Sequence, residues 1–161
     1  MDEQKNLKAE EFDGGISVES GKISVPIRNE LGEQTGVLRF NPTDVKMVDR
    51  YNEVADKFSE VMAPLGENND SDEDPMQLMN AAGDKIIELM DYILDGNSRE
   101  AFFQHCHPFS PVNGKFYCER VFEAVGSFIS KRFDVELKHL DARLEKHTHG
   151  YRTGKHKKGD R

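Results

Sequence analysis

The stretch GVLRFNPTD, residues 36–44, contains the change from strand to helix on which the rest of the architecture depends. Its first half has the apolar residues of a short strand, and its second half is a strong helix start. Asn41 can cap a helix, Pro42 suits the first helical position, and Asp44 can close a capping box and favours the positive end of the helix dipole. The sequence therefore predicts a strand ending at Phe40 and a helix starting close to Asn41.

A second strand pattern precedes this stretch. In residues 22–28 apolar and polar side chains alternate, as in a half-buried strand. Pro26 restricts this strand to a sheet edge, because proline has no amide hydrogen to donate. Residues 29–33 supply the turn of a β-hairpin. Such a hairpin is marginally stable alone, so we expect it to pack on the helices or to pair with another chain.

Amphipathic helical patterns fill much of the remaining chain. Residues 64–74 form an acidic linker between the first two helices, and Asp74 with Pro75 starts the second helix. Gly96 suits the left-handed residue that ends it. A short helix through residues 102–103 leads into a turn-rich connector. The predicted apolar faces are Met47, Tyr51, Val54, Phe58, Val61 and Met62 on the first helix, and Met79, Gly83, Ile86, Met90 and Ile93 on the second.

The last helix is predicted to run from about Lys115 to His147. Its first half is apolar over a wide arc, which indicates burial in the domain. Its second half keeps only a thin stripe among charged residues, which indicates an exposed helix or one that docks on a partner. The stripe consists of Leu137, Leu140 and Leu144.

Together these patterns predict a mainly α (α+β) fold. It comprises an N-terminal β-hairpin (residues 22–41), then a small bundle of three to four helices with a long C-terminal helix. Residues 1–21 are predicted to be a flexible acidic arm, residues 22–147 a single helical domain, and residues 148–161 a basic disordered tail.

The charge distribution and the lack of long apolar runs bear on whether nucleic acid or a membrane is a partner. The net charge is −8, and residues 146–161 carry six Lys or Arg and one acid, which leaves −13 on residues 1–145. A body this acidic repels nucleic acid. The sequence contains no apolar run of the ~18–20 residues that a membrane span needs, and its polar start lacks the pattern of a secretory signal. We therefore expect no membrane partner and a location in the cytoplasm.

Candidate metal sites and catalytic motifs are weak. His105, Cys106 and His107 could combine with Cys118, but Cys118 has no second ligand close to it in sequence, as a structural zinc site requires. Both cysteines are predicted to be reduced core thiols. The acids of the linker lack the glutamate expected at the twelfth position of a calcium loop. No phosphate-binding loop, dinucleotide fingerprint or nucleophile elbow is present, so we expect neither a cofactor nor an enzyme.

The order of parts resembles the tail assembly chaperones of long-tailed phages and prophages of Gram-positive bacteria. The resemblance covers roughly residues 22–147. It is carried by the strand that leads into RFNPTD (39–44), by Arg50 and Tyr51 in the next helix, by the FF pair at 102–103, and by the helix start at 118–124. It implies a protein that coats the tape measure protein, keeps it soluble and brings tail tube subunits to it. It also implies a location in the host cell cytoplasm and absence from the mature virion.

The candidate partner-binding residues are apolar side chains on the predicted helix faces. They are Met47, Tyr51, Phe58, Met79, Met90, Leu137, Leu140 and Leu144. Flexible methionines suit an adaptable binding surface, although they also occur as ordinary core residues. Self-association through the hairpin edge or the leucine stripe is a further possibility. Two alternatives stay open: another phage structural part, such as a connector or scaffold-like protein, and a nucleic-acid-binding regulator that uses the basic tail.

Overall fold

The computed structural model describes residues 14–66 and 74–159, with side chains described as far as Leu144. The predicted α+β class is confirmed: a hairpin is followed by helices, and the last helix is long. The hairpin consists of β1 (Ile23–Arg28) and β2 (Gln34–Phe40), and the helices are α1 (Lys46–Gly66), α2 (Pro75–Leu94), α3 (Ser98–Phe102) and α4 (Tyr117–Gly159). Residues 1–13 of the predicted arm and 67–73 of the predicted linker lie outside the described residues.

The predicted hairpin is antiparallel, with Val25 opposite Leu38 and Ile23 opposite Phe40. Its turn is held by Asn29, whose side-chain oxygen accepts hydrogen bonds from the amides of Leu31 (2.9 Å) and Glu33 (3.0 Å). Leu38 and Phe40 are almost completely buried. The hairpin therefore packs on helices of its own chain, which is the first of the two arrangements expected.

One side-chain amide continues the hydrogen bonding of β2 beyond the hairpin. The Arg39 amide donates to Asn97 Oδ1 (2.8 Å), and Asn97 Nδ2 donates to the Val37 carbonyl (2.9 Å). Asn97 thus replaces a third strand along part of β2. Because free strand edges promote pairing between chains, this contact protects the hairpin from such pairing.

The start of α1 corrects a detail of the sequence prediction. Asn41 accepts a hydrogen bond from the Thr43 amide (3.1 Å), and so closes a turn ahead of the helix. Asp44 acts at the helix start instead, because its carboxylate accepts from the Lys46 amide (3.0 Å). The other end of α1 also differs from the prediction. The helix continues through Pro64 to Gly66, although proline cannot donate one helical hydrogen bond and its ring crowds the turn before it.

Asp44 and Arg50 join the first turn of α1 to the end of α2. The Arg50 guanidinium contacts the Asp44 carboxylate at 3.1 Å and donates from Nε to the Ile93 carbonyl at 2.9 Å. The last carbonyls of a helix have no partner within the helix, so Arg50 satisfies one of them in α2. Burial raises the pKa of Asp44, but the Lys46 amide and Arg50 outweigh burial and hold this pKa below its usual value.

Replacing Asp44 with asparagine is expected to lower the free energy of unfolding by on the order of 1 kcal/mol near neutral pH, because the ion pair with Arg50 is lost while an acceptor for the Lys46 amide is kept. The folded-state pKa of Asp44 lies below the unfolded value. The contribution is therefore complete above about pH 5 and disappears as the pH falls below about 4. Urea unfolding at several pH values measures this difference. A difference that does not shrink as the pH falls below the unfolded pKa of Asp44 would contradict the assignment.

The junction between α2 and α3 shows a second correction. Asp74 caps α2 by accepting from the Met76 amide (3.1 Å), as predicted. The left-handed residue at the other end is Asp95 (φ 50°), and not Gly96. Gly96 is required for a different reason, because a Cβ there would lie 3.0 Å from the Arg39 carbonyl oxygen. The glycine thus allows the end of α2 to approach β2 closely.

A small two-stranded ribbon that the sequence did not predict precedes α4. It pairs β3 (Pro111–Val112) with β4 (Lys115–Phe116). The Phe116 amide donates to the Glu119 carboxylate (2.8 Å), so α4 starts at Tyr117 with a capping contact. The sequence pattern predicted that this helix ends near His147, whereas α4 continues to Gly159. The disordered state of the tail 148–161 stays a prediction.

Candidate partner-binding groove

An open apolar groove lies between α1 and α4. Its volume is about 590 Å3, and residues from the C-terminal part of α2 form its floor. The floor residues Met90, Ile93 and Leu94 are buried. Side chains of α1 and α4 form the two walls. The surface is therefore concave and mostly apolar, as in sites that take an apolar helix face.

The two walls contact each other through aromatic rings. Phe58 of α1 and Phe122 of α4 meet edge to face, with ring centroids 4.9 Å apart and planes at 89°. This geometry is favourable for aromatic pairs. Toward solvent, Tyr51 on α1 is 50% exposed and Val48 is 54% exposed. The groove is thus closed at its base by a defined contact and open above it.

Gly126 widens the groove on the side of α4. A Cβ built at Gly126 would meet no atom within 4 Å. A glycine inside a helix costs about 1 kcal/mol relative to alanine, so a helical glycine usually has a packing reason. No contact among the described residues supplies one here. The open space in front of Gly126 is available for an atom from outside the chain.

The structure brings together half of the predicted partner-binding residues. Met47, Tyr51, Phe58 and Met90 all line the groove. Met79 is not among the lining residues and is partly buried on the first half of α2. The leucines of the thin stripe lie outside the groove on the exposed part of α4, where Leu137, Leu140 and Leu144 are 53%, 46% and 50% exposed.

Several lining residues were not among the candidates. Ala55 and Ser59 follow Tyr51 at helical spacing, but small side chains carry little hydrophobic signal. Gly126 has no side chain and therefore gave no hydrophobic signal. The wide apolar arc of α4 did indicate burial, yet part of that arc faces the open groove. The missed lining residues are Val48, Ala55, Ser59, Met62, Ile93, Leu94, Cys118, Glu119, Phe122, Val125, Gly126, Ile129 and Phe133.

The two thiols differ in environment. Both are free, and Cys118 is buried while Cys106 is partly exposed. Burial, together with the nearby Glu119 carboxylate, raises the pKa of the Cys118 thiol to about 11. The reactive species is the thiolate, so Cys118 is inert near neutral pH. The predicted core thiol is thus confirmed at Cys118, whereas Cys106 is only partly buried.

A thiol-reactive probe at pH 8 is expected to label one cysteine per native chain rapidly and the second only after denaturation, because Cys118 is 1% exposed. Mass spectrometry of the labelled chain identifies the site. The Cys106→Ser variant should be almost unreactive while folded. Rapid native labelling of Cys118 would show that the start of α4 opens to solvent.

His107 has a structural role next to α2. Its Nδ1 accepts from the Phe109 amide (3.0 Å), so Nε2 carries the hydrogen and donates to Asn80 Oδ1 (3.0 Å). The ring lies against Gly83, where a Cβ would be 3.2 Å from His107 Cε1. Both ring nitrogens are therefore engaged. In the described part of the chain, no group of three or more His, Cys, Asp or Glu side chains is arranged to hold a metal ion.

No described helix is long and apolar enough to cross a membrane. Comparison with known family models, with characterised proteins and with solved structures gives no match to this chain.

Proposed function

We propose that this chain is a phage tail assembly chaperone that binds an apolar helical segment of the tape measure protein in the groove between α1 and α4. It acts by binding and not by catalysis. The observation that carries the proposal is the open apolar groove, with Gly126 leaving space in one wall. The resemblance to tail assembly chaperones supplies the identity of the client.

The side chains of the groove suit a client with a repetitive sequence. Met62 lines the groove as a partly buried side chain, and Met47 and Met90 lie buried directly beneath its surface. Methionine is unbranched and adapts to different apolar partners. A long helical client offers many similar apolar faces, and an adaptable groove binds each of them without a single complementary shape. The acidic body keeps the resulting complex soluble.

The proposed role extends to the assembly pathway. The chaperone covers the tape measure protein in the host cytoplasm, helps bring tail tube subunits to it, and leaves before the virion is complete. Mass spectrometry of purified virions should then detect tail tube and tape measure proteins and not this chain. Its stoichiometric presence in virions would favour the connector or scaffold alternative.

Filling the groove is expected to abolish client binding. The Gly126→Leu side chain finds no atom in its way at Cβ and projects into the groove, so the variant should fold. Co-expression of the tape measure protein from the same phage genome with the unaltered chain should yield soluble complex. With Gly126→Leu, soluble tape measure protein should fall at least about tenfold, which corresponds to a loss of 1.4 kcal/mol.

The matched control is Val135→Leu, which adds bulk to an exposed position of the same helix on the face away from the groove. This variant should support solubility as the unaltered chain does. Insoluble tape measure protein in the presence of the unaltered chain would refute the proposed function. Equal activity of Gly126→Leu and the unaltered chain would refute the groove as its site.

A further inference from the structure

The second half of α4 carries an exposed apolar stripe with heptad spacing. Its members follow one another at intervals of four, three and four residues, and they are Phe133, Leu137, Leu140 and Leu144. The three leucines are 46–53% exposed, which is far more than a leucine of the core. Alternating intervals of three and four residues keep apolar side chains in one line and are typical of helices that pair with another helix. From Phe133 to Leu144 the stripe is about 17 Å long at 1.5 Å per residue.

The two flanks of this stripe differ in charge. At 100° per residue, Asp134 and Asp141 lie on one flank. Glu136 and Arg143 lie on the other flank by the same rotation. Residues 131–144 together carry four Lys or Arg and three acids, so this segment is nearly neutral although the body of the chain is acidic. Two copies of the segment therefore approach each other without the repulsion that the acidic body would cause elsewhere.

We infer that two copies of this chain pair through the stripe as antiparallel helices related by a two-fold axis. A two-fold contact pairs residue i with j and j with i, so each contact occurs twice. Leu137 then packs against Leu140 of the second copy, and Phe133 packs against Leu144 of the second copy. All four layers of the contact are apolar. The inference concerns the chain alone and does not rest on the proposed client.

The charges on the flanks favour the antiparallel orientation over the parallel one. In an antiparallel pair like flanks face each other, so Glu136 of each copy meets Arg143 of the other. Glu136 already lies 3.9 Å from Arg132 of its own helix, and the pairing would add a second guanidinium on its other side. In a parallel pair unlike flanks face each other, and Glu136 would meet Asp141 of the second copy. Because charges at these flanking positions set the orientation of paired helices, the antiparallel arrangement is preferred.

The other flank keeps the association weak. There Asp134 meets Asp141 of the second copy, an exposed contact between like charges that costs little. Lys138 follows Asp134 by four residues and precedes Asp141 by three, so it offsets part of this repulsion. The overlap of the two helices is also short for a stable interface, which buries about 1,200–2,000 Å2. We therefore expect a reversible dimer with a Kd on the order of 10–100 µM.

Sedimentation equilibrium of the full chain between about 1 and 300 µM tests the inference. The unaltered chain should change from monomer to dimer over this range. Leu140→Lys places a charge in both central layers at an exposed position, so the variant should fold and stay monomeric throughout. A monomer at every concentration of the unaltered chain would leave the stripe to a foreign partner and overturn the inference. A dimer that persists in Leu140→Lys would overturn it as well.

The matched control is Val135→Lys, which replaces an exposed apolar residue on the opposite face of the same helix. This variant should dimerise as the unaltered chain does. Loss of the dimer in Val135→Lys would show that the effect of Leu140→Lys is not specific to the stripe, and would overturn the inference.

Two charge variants test the orientation. Glu136→Arg and Arg143→Glu should each raise the Kd by roughly tenfold, because each places like charges opposite each other twice. An equimolar mixture of the two variants should associate as well as the unaltered chain, because every facing pair then joins an arginine to a glutamate. In a parallel pair Glu136→Arg would face Asp141 and tighten the dimer. Tighter association of Glu136→Arg, or no recovery in the mixture, would overturn the antiparallel pairing.

Discussion

Replacing Phe40 with alanine is expected to lower the free energy of unfolding by about 3–5 kcal/mol, the largest effect of any single substitution considered. Phe40 is 1% exposed and ends β2 at the point where the chain turns toward α1. Its ring lies 6.2 Å from that of Phe128 on α4, and its Cβ lies against Gly96. Truncation therefore leaves a cavity where the hairpin, α2 and α4 meet.

Urea unfolding followed by far-ultraviolet circular dichroism measures this loss. The matched control is Leu31→Ala in the hairpin turn, where the side chain is 77% exposed and the change should stay within about 0.5 kcal/mol. If Phe40→Ala were as mild as Leu31→Ala, the hairpin would not be part of the core, and the position of α4 would have to depend on other contacts.

The second large effect is expected at Gly36. A Cβ there would lie 2.2 Å from the carbonyl oxygen of Ala101, so β2 and α3 could not keep their present distance. The atom in the way belongs to the backbone and cannot move aside as a side chain can. Gly36→Ala is therefore expected to destabilise the protein by about 3 kcal/mol through overpacking.

Gly126→Ala is the same chemical change but is expected to alter stability in the opposite direction. Gly126 is also a glycine in a regular element, but a Cβ there meets nothing within 4 Å. Alanine should stabilise α4 by up to about 1 kcal/mol. Thermal unfolding of both variants gives a direct comparison. Stabilisation by Gly36→Ala would show that β2 does not approach α3 as closely as the structure indicates.

Much of the fold follows from local patterns in the sequence. Alternating apolar residues predicted β1, and the turn residues followed by a short apolar run predicted β2. The buried face of the hairpin leaves little freedom of register. Helical spacing predicted the buried positions Ile86, Met90 and Ile93 of α2. The pair Asp74 and Pro75 predicted where this helix begins. These features depend on neighbours within a few residues, which is why the sequence reveals them.

Other features depend on residues far apart in the chain. Asn97 completes the hydrogen bonding of Val37 and Arg39, and no local pattern links these positions. The same holds for Gly36, whose requirement arises from α3. The groove was only partly predictable: helical spacing identified Met47, Phe58 and Met90 as apolar, but the gap in front of them depends on the distance and angle between α1 and α4.

Nuclear magnetic resonance of methionine methyl groups tests the central claim most directly. Met47, Met62 and Met90 line the groove, whereas Met76 and Met79 do not. The protein is labelled with 13C at its methionine methyl groups and titrated with the client segment of the tape measure protein. The signals of Met47, Met62 and Met90 should then shift or broaden, and those of Met76 and Met79 should stay in place. Changes confined to Met76 and Met79, or no change in the groove methionines when the client is bound, would contradict the account.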